Sequence, residues 1–335
     1  MSDRLRLPGF VNAHSHAFQR ALRGKVEGGD FWAWRESMLN LAQGLTPEQV
    51  HQGYVAAYRE MRAAGYTAVG EFHYVGFAEA QAAIAAGREA GVELVLLLAA
   101  YGRGGADRFR QESVADYLRQ VEALASEGAR VGLAPHSVRA CPRGWLEQIG
   151  AHAARDGFVL HVHADEQPRE IEECLAEHGL RPIELLAETG CLGPRTTVVH
   201  ATHADAHELD LLAEHGAGVC ICPTTEANLG DGFPPLTGLL ERGIPLSIGS
   251  DSNVRIDPLE ELRELEGTAR RQTLRRNVIA VDRLLDFGSS AGAKALGIEE
   301  WPDVEVDLAH RSLADVARED VPAALVHGCG AEVFH

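Results

Sequence analysis

Eight short β-rich runs recur along this chain, each separated from the next by a helical pattern, and that rhythm leaves few folds open. The runs are RLPGFVNAH, GYTAVGEFHYV, VELVLLLAAYG, RVGLAPHSV, FVLHVHADE, TTVVHATH, GAGVCICP and PLSIGSDS. Amphipathic stretches such as TPEQVHQGYVAAYREMRAAG and DRFRQESVADYLRQVEALASEG lie between them. The first of these opens on Thr46-Pro47-Glu48, an N-cap followed by proline at the first helical position. In HADAHELDLLAEHG, Asp205 is a candidate N-cap and Gly216 a candidate stop. Eight strands with intervening helices over about 250 residues predict an α/β fold, a (β/α)8 TIM barrel. A doubly wound sheet is the alternative, but no GxGxxG follows the first run. The rhythm stops near Trp301, so the barrel is expected over 7–300 and a C-terminal appendage over 301–335.

Charge and composition narrow the partners. Among 335 residues, 31 Lys and Arg face 49 Asp and Glu, a formal charge of −18. Such a surface repels nucleic acid and anionic membranes, and an anionic substrate would need local arginines. No apolar run reaches the ~18 residues of a membrane span, and MSDRLRLPGF lacks the apolar core of a secretory leader; a cytoplasmic protein is expected. Six scattered cysteines without a CxxC pair form no disulfide framework, and Cys220 and Cys222, in the apolar GAGVCICP, read as buried thiols.

In a (β/α)8 barrel the chemistry sits at the C-terminal ends of the strands. Those ends carry His14 and His16, Glu71-Phe72-His73-Tyr74, His136-Ser137-Val138-Arg139, His161 through Glu166, His200 through His203, and Asp251. Eight of the sixteen histidines fall there, although nothing about a strand end as such calls for histidine. Residues i and i+2 on a strand point to the same side, so His14 and His16 can grip one metal ion.

These motifs resemble the amidohydrolase superfamily. VNAHSHAFQRALRG, PHSVRA, HVHADEQPREIEEC, VVHATH, ICPTTEANLGDGFPP and GSDSNVRIDPLEELRELE together resemble its formimidoylglutamate deiminases, from about Leu7 to about Gly297. The resemblance implies a distorted barrel of the amidohydrolase type and one divalent metal ion per chain, usually zinc. It also implies conversion of N-formimino-L-glutamate to N-formyl-L-glutamate and ammonia, a step of histidine degradation. Relatives normally begin with a few dozen residues of β-structure that join a small β domain. Only MSDRLR precedes Leu7 here, so that appendage is expected to be reduced or truncated, and a homodimer is left open.

Roles for the strand-end residues follow. Catalytic zinc takes a few nitrogen or carboxylate ligands and keeps a position open. His14, His16, His163 and Asp251 are the expected ligands. His161 points the same way as His163, but His163 lies nearer the strand end and stands three residues before Glu166, as in the family's HxxE; His161 is therefore expected to be packed. Glu166 is the expected proton carrier, His200 orients or polarises at the metal, and Asp251 doubles as a base. Neither lysine of the chain, Lys25 or Lys294, lies at the fourth run, which argues against a second, lysine-bridged ion. A guanidinium such as Arg139 can hold a carboxylate bidentately. The resemblance carries Gln19, Tyr74, His136 and Arg139 over as contacts to a small anionic, amino-acid-derived substrate. His203 is expected in an outer position, and Trp32 and Trp34 either in a loop over the barrel mouth or packed in the core. The competing readings are another mononuclear-metal deaminase, such as one acting on a nucleobase, and a non-catalytic barrel scaffold.

Overall fold

A computed structural model describes residues 4–334; Met1–Asp3 and His335 lie outside the described residues. The strands are β1 (Arg4–Pro8), β2 (Phe10–Ser15), β3 (Tyr66–His73), β4 (Glu93–Ala100), β5 (Val131–Pro135), β6 (Leu160–Ala164), β7 (Thr196–His200), β8 (Gly218–Ile221), β9 (Leu246–Ile248) and β10 (Asp303–Asp307). Strands β2 to β9 pair in chain order as one parallel eight-stranded sheet, with helices between them. This is the expected (β/α)8 barrel.

The barrel is distorted at two seams. β2 and β9 meet only at their upper ends, through a parallel bridge between Ser15 and Asp251. There the Asp251 N–H donates to the His14 carbonyl at 3.0 Å and the His16 N–H donates to the Asp251 carbonyl at 2.8 Å. β5 and β6 pair at Leu133 and Leu160, then separate and touch again only at Ser137 and His163. Both seams open next to the strand-end histidines.

Local signals account for most helix boundaries. Thr46 and Gln49 form a capping box at the start of helix Pro47–Ala63. Asp205 and Glu208 do the same for helix Ala206–His215, which Gly216 ends at φ 68°. The expected helix from Asp107 starts only at Val114, because Ser113 caps it and Asp107–Phe109 is a 3-10 turn. The run expected to begin the barrel splits in two at Gly9: β1 pairs antiparallel with β10, and β2 enters the barrel. A Cβ on Gly9 would lie 2.1 Å from the Thr67 hydroxyl and 2.3 Å from the Pro302 carbonyl, so only glycine permits this crossing.

One expectation is corrected. Trp32 and Trp34 lie on a helix, Phe31–Gly44, and not in a loop. Asp30 caps it by accepting from the Ala33 N–H at 3.0 Å, and Phe31, Met38 and Ala42 are its buried face.

Helix Ser290–Ala295 sits at the starts of β7, β8 and β9 and plugs that end of the barrel. Residues after Trp301 supply β10 and helix Val321–Gly328, which packs on helix Pro258–Thr273, where Arg263 donates to the Val326 carbonyl at 2.9 Å. All six cysteines are free and buried, Cys220 and Cys222 among them. No helix among the described residues is long and apolar enough to cross a membrane.

Candidate metal centre and active site

β2, β6 and the turn after β9 bring four donor atoms together. The Nε2 atoms of His14 and His16 are 3.2 Å apart, those of His14 and His163 3.1 Å, and those of His16 and His163 3.4 Å. Asp251 Oδ1 lies 3.3 Å from Nε2 of both His14 and His16. The ring orientations are set from behind. Nδ1 of His16 donates to the Phe72 carbonyl at 2.8 Å, and Nδ1 of His163 donates to the His136 carbonyl at 3.0 Å. With Nδ1 carrying the proton, each Nε2 presents a lone pair to the other. Lone pairs facing at these distances repel unless a cation lies between them. A tetrahedral ion with bonds of about 2.0–2.1 Å sets its ligands about 3.3–3.4 Å apart, close to the spacing seen here. The four residues therefore fit a divalent ion.

Electrostatics agree with that fit. Burial pushes the His14 imidazole down to about 3, and burial also lowers His16 and His163, so all three are neutral ligands at pH 7. Burial alone would raise the Asp251 carboxyl, but the bond with His14 and the neighbouring imidazoles of His16 and His200 hold it well below the usual carboxylate range.

His200 ends β7 beside this cluster. Its Nε2 is 3.5 Å from Glu166 Oε1 and 3.9 Å from Asp251 Oδ2, and that buried atom has no hydrogen-bond partner among the described residues. Its Nδ1 donates to Glu226 at 3.2 Å. Burial opposes a charge on His200, yet Glu166, Glu226 and Asp251 around it raise its proton affinity well above the ordinary value. Glu166 is shifted upward, by burial first, against the pull of His200 and Arg139. The backbone here is unusual. Asp165, His200, Ala201, Asp251 and Asn253 have φ between 41° and 75°, a region that non-glycine residues seldom occupy. Asn253 helps hold the Asp251 turn, donating to the Asp251 carbonyl at 3.0 Å and to Ser15 at 3.1 Å.

Above the cluster lies a small cavity of about 40 Å³. Gln19, Tyr74, His136 and Arg139 all line it, together with Glu166. Gln19 donates to the Tyr74 hydroxyl at 2.7 Å, and its buried Oε1 has no partner among the described residues. Arg139 donates to Glu170 at 3.3 Å and Glu166 at 3.5 Å, which engages two of its five N–H donors. His161 lies outside the four-residue cluster, bonded to the Ala295 carbonyl at 3.0 Å, and His203 is bonded to the Asp231 carbonyl at 2.7 Å. Both are placed as expected.

Several residues of the site were not foreseen. Arg35 lines the cavity from helix Phe31–Gly44. Glu226 accepts from His200 and from the Cys222 N–H at 2.9 Å. Glu71 accepts from Ser15 at 3.0 Å and from the Ala17 N–H at 2.8 Å, and so fixes the turn that bears His16. Glu71 could have been found as a carboxylate inside an otherwise apolar run. Arg35 had no such signal, because its stretch was read as a loop.

This barrel, with its metal cradle at the strand ends, is that of a metal-dependent hydrolase, and the chain belongs to the amidohydrolase family, whose model matches residues 5–301. Among curated proteins it is 39% identical over 326 residues to the formimidoylglutamate deiminase of Pseudomonas aeruginosa, covering 87% of this chain and 72% of that protein. It is 30% identical over 305 residues to the 5-methylthioadenosine/S-adenosylhomocysteine deaminase of Haloarcula marismortui, covering 89% of this chain and 70% of that one. Among solved structures, an amidohydrolase from Brucella melitensis superposes with a TM-score of 0.85 at 33% identity, over 98% of this chain and 84% of that one. An adenosine deaminase from Xanthomonas campestris with bound zinc superposes with a TM-score of 0.90 at 24% identity, over 99% and 78%.

Proposed function

We propose that this protein hydrolyses N-formimino-L-glutamate to N-formyl-L-glutamate and ammonia, using one divalent ion per chain, zinc in the first instance. One observation carries the choice of substrate: two guanidiniums, Arg139 and Arg35, line the cavity above the metal cradle in a chain of net charge −18. A substrate with two carboxylates needs such partners here, and a neutral nucleoside does not. The Pseudomonas aeruginosa relative carries the name of this activity.

His14, His16, His163 and Asp251 hold the ion, which when bound acidifies a water and supplies a nucleophile at neutral pH. The outer oxygen of Asp251 accepts the proton of the attacking water. Glu166 passes a proton to the terminal nitrogen of the amidine, 3.5 Å from a His200 ring that steadies the charge developing on the attacking oxygen. The water oxygen bonds to the amidine carbon; Asp251 then returns its proton to the terminal nitrogen, Glu166 takes back the proton of the new hydroxyl, the bond from that carbon to the terminal nitrogen breaks, and ammonia leaves. Gln19, Tyr74, His136 and Arg139 orient the glutamate portion. Free, buried thiols suit a reducing cytoplasm, where we place the reaction.

The second reading is a nucleoside deaminase, favoured by the Haloarcula marismortui relative and by the rings of Tyr74, Tyr101 and Trp34 around the cavity. Ammonia release from formiminoglutamate and from 5-methylthioadenosine separates the two. The sharper test is Arg139→Met assayed on formiminoglutamate and on an analogue lacking one carboxylate. Loss of a desolvated charge pair costs roughly 2–5 kcal/mol, a ~30- to several-thousand-fold fall in kcat/KM. The fall should be much smaller for the analogue. Equal losses on both substrates, with metal content unchanged, would remove Arg139 from substrate binding.

A further inference from the structure

Helix Phe31–Gly44 covers the cavity with Phe31, Trp34, Arg35 and Met38, spaced so that they share one face. Its two ends are held in different ways. At the C-terminal end, Nη1 of Arg108 donates to the carbonyls of Ala42 at 2.8 Å, Gln43 at 3.2 Å and Leu45 at 2.7 Å. Carbonyls at a helix end have no partner within the helix, so this one guanidinium satisfies them together. Arg108 is itself paired with Glu79 at 2.5 Å. That end is a fixed point.

The N-terminal end follows Arg23-Gly24-Lys25-Val26-Glu27-Gly28-Gly29-Asp30, a mostly exposed stretch in which Gly24 has φ 68° and Gly29 φ 97°. Three glycines let this stretch change direction at little steric cost. Phe31 is buried at this end, and Trp32 adds a second tie. The Arg169 guanidinium lies 4.5 Å from its ring centroid and the Arg139 guanidinium 5.9 Å. Both are within the range of a cation–π contact. Arg169 belongs to helix Pro168–His178, which also carries Glu170, the carboxylate that accepts from Arg139. Trp32 therefore lies beside the guanidinium expected to meet substrate, which Glu166 and Glu170 also hold.

We propose that Trp32 is a positioning residue: it latches helix Phe31–Gly44 as a lid pivoting at its Arg108 end, and in the latched state it seats Arg139 for a substrate carboxylate. The second half rests on the reading of Arg139 given above; the latch itself does not. A substrate carboxylate then meets a guanidinium already held by Trp32, Glu166 and Glu170, and the lid brings Arg35 to the cavity in the same movement.

Two measurements on the metal-loaded enzyme test this. Amide hydrogen exchange without any ligand should show Trp32→Ala opening residues 24–36 roughly 3- to 30-fold more often, the factor expected for one cation–π latch. Residues 39–45, held by Arg108, should not change. An equal rise in both segments, or none, overturns the latch whatever the substrate is. Steady-state assays on formiminoglutamate should show KM rising ~3- to 30-fold in Trp32→Ala, with kcat and metal content kept and Trp32→Phe recovering most of the loss. In an Arg139→Met background the same Trp32 change should cost less than twofold, because the group it positions is gone. Full additivity overturns the coupling between Trp32 and Arg139. If formiminoglutamate is not turned over at all, the functional reading fails, while the exchange experiment still decides the latch.

Discussion

The two ends of this barrel are made by the same eight strands and could hardly differ more. At the closed end, Phe10, Val11, Leu160 and Leu246 are buried, and helix Ser290–Ala295 presses so close that a Cβ on Gly292 would lie 3.0 Å from that of Val11. His161, facing that helix, has its Nε2 satisfied by the Ala295 carbonyl. At the open end, His14, His16, Glu71, His163, Asp165, Glu166, His200, Glu226 and Asp251 are all buried. Five left-handed non-glycine residues cluster there too, and the other three described ones, Leu274, Asn277 and Asp315, lie outside the barrel strands. Desolvated charge and a strained backbone each cost free energy and persist only where surrounding structure over-determines them. The hydrocarbon end holds the strands in register; the polar end spends that rigidity on ligand geometry.

The comparison can be broken from the polar end. His163→Ala removes one of four donors, so metal content after dialysis should collapse and activity should fall to background. A variant that kept its full metal complement would show that the cradle is not the metal site. Glu166→Gln should keep the metal and lose ~10²–10⁴-fold in kcat. Metal lost in step with activity would make Glu166 a ligand instead.

The apolar end should respond in the opposite sense. Leu160→Ala, at the start of β6, should lower the unfolding free energy by ~2–5 kcal/mol in denaturant titrations, with kcat/KM of the folded fraction unchanged. A large activity loss at wild-type stability would erase the division of labour. A graded, pH-dependent effect belongs to Glu71, whose carboxyl burial pushes up to about 8. A raised folded value means that its stabilisation is complete below the unfolded value of about 4.5 and is lost as pH rises through 8. Wild-type stability should therefore decline by up to ~1.4 kcal/mol per pH unit across that window, and Glu71→Gln should flatten the slope. Identical slopes in the two proteins would show that Glu71 is not held protonated.

Much of this was legible along the chain, and particular residues show why. Thr46, Asp205 and Gly216 act within one turn of where they stand, so they mark their helix ends without help from the rest of the molecule. The His14 and His16 spacing works the same way, since strand geometry alone sends both side chains to one side. Asp30 carried an equally local signal for helix Phe31–Gly44, but aromatic FWAWRESM had a face only once there was a cavity to cover. The split at Gly9 depends on Thr67 and Pro302, which are remote in sequence.

Sequence by itself determined the class of fold, the strand-end placement of the histidines and the residue types able to hold a metal, because periodicity, capping and strand alternation are short-range properties of the chain. Tertiary structure decided which of those residues come together and what surrounds them. Asp251 reaches His14 and His16 only because β9 closes onto β2 through one bridge, across more than two hundred residues of chain. Glu166 and Glu226 raise the proton affinity of His200, and Arg35 reaches the cavity from helix Phe31–Gly44. Distances of a few ångströms between remote residues, and the loss of water that makes their charges matter, exist only once the barrel has closed.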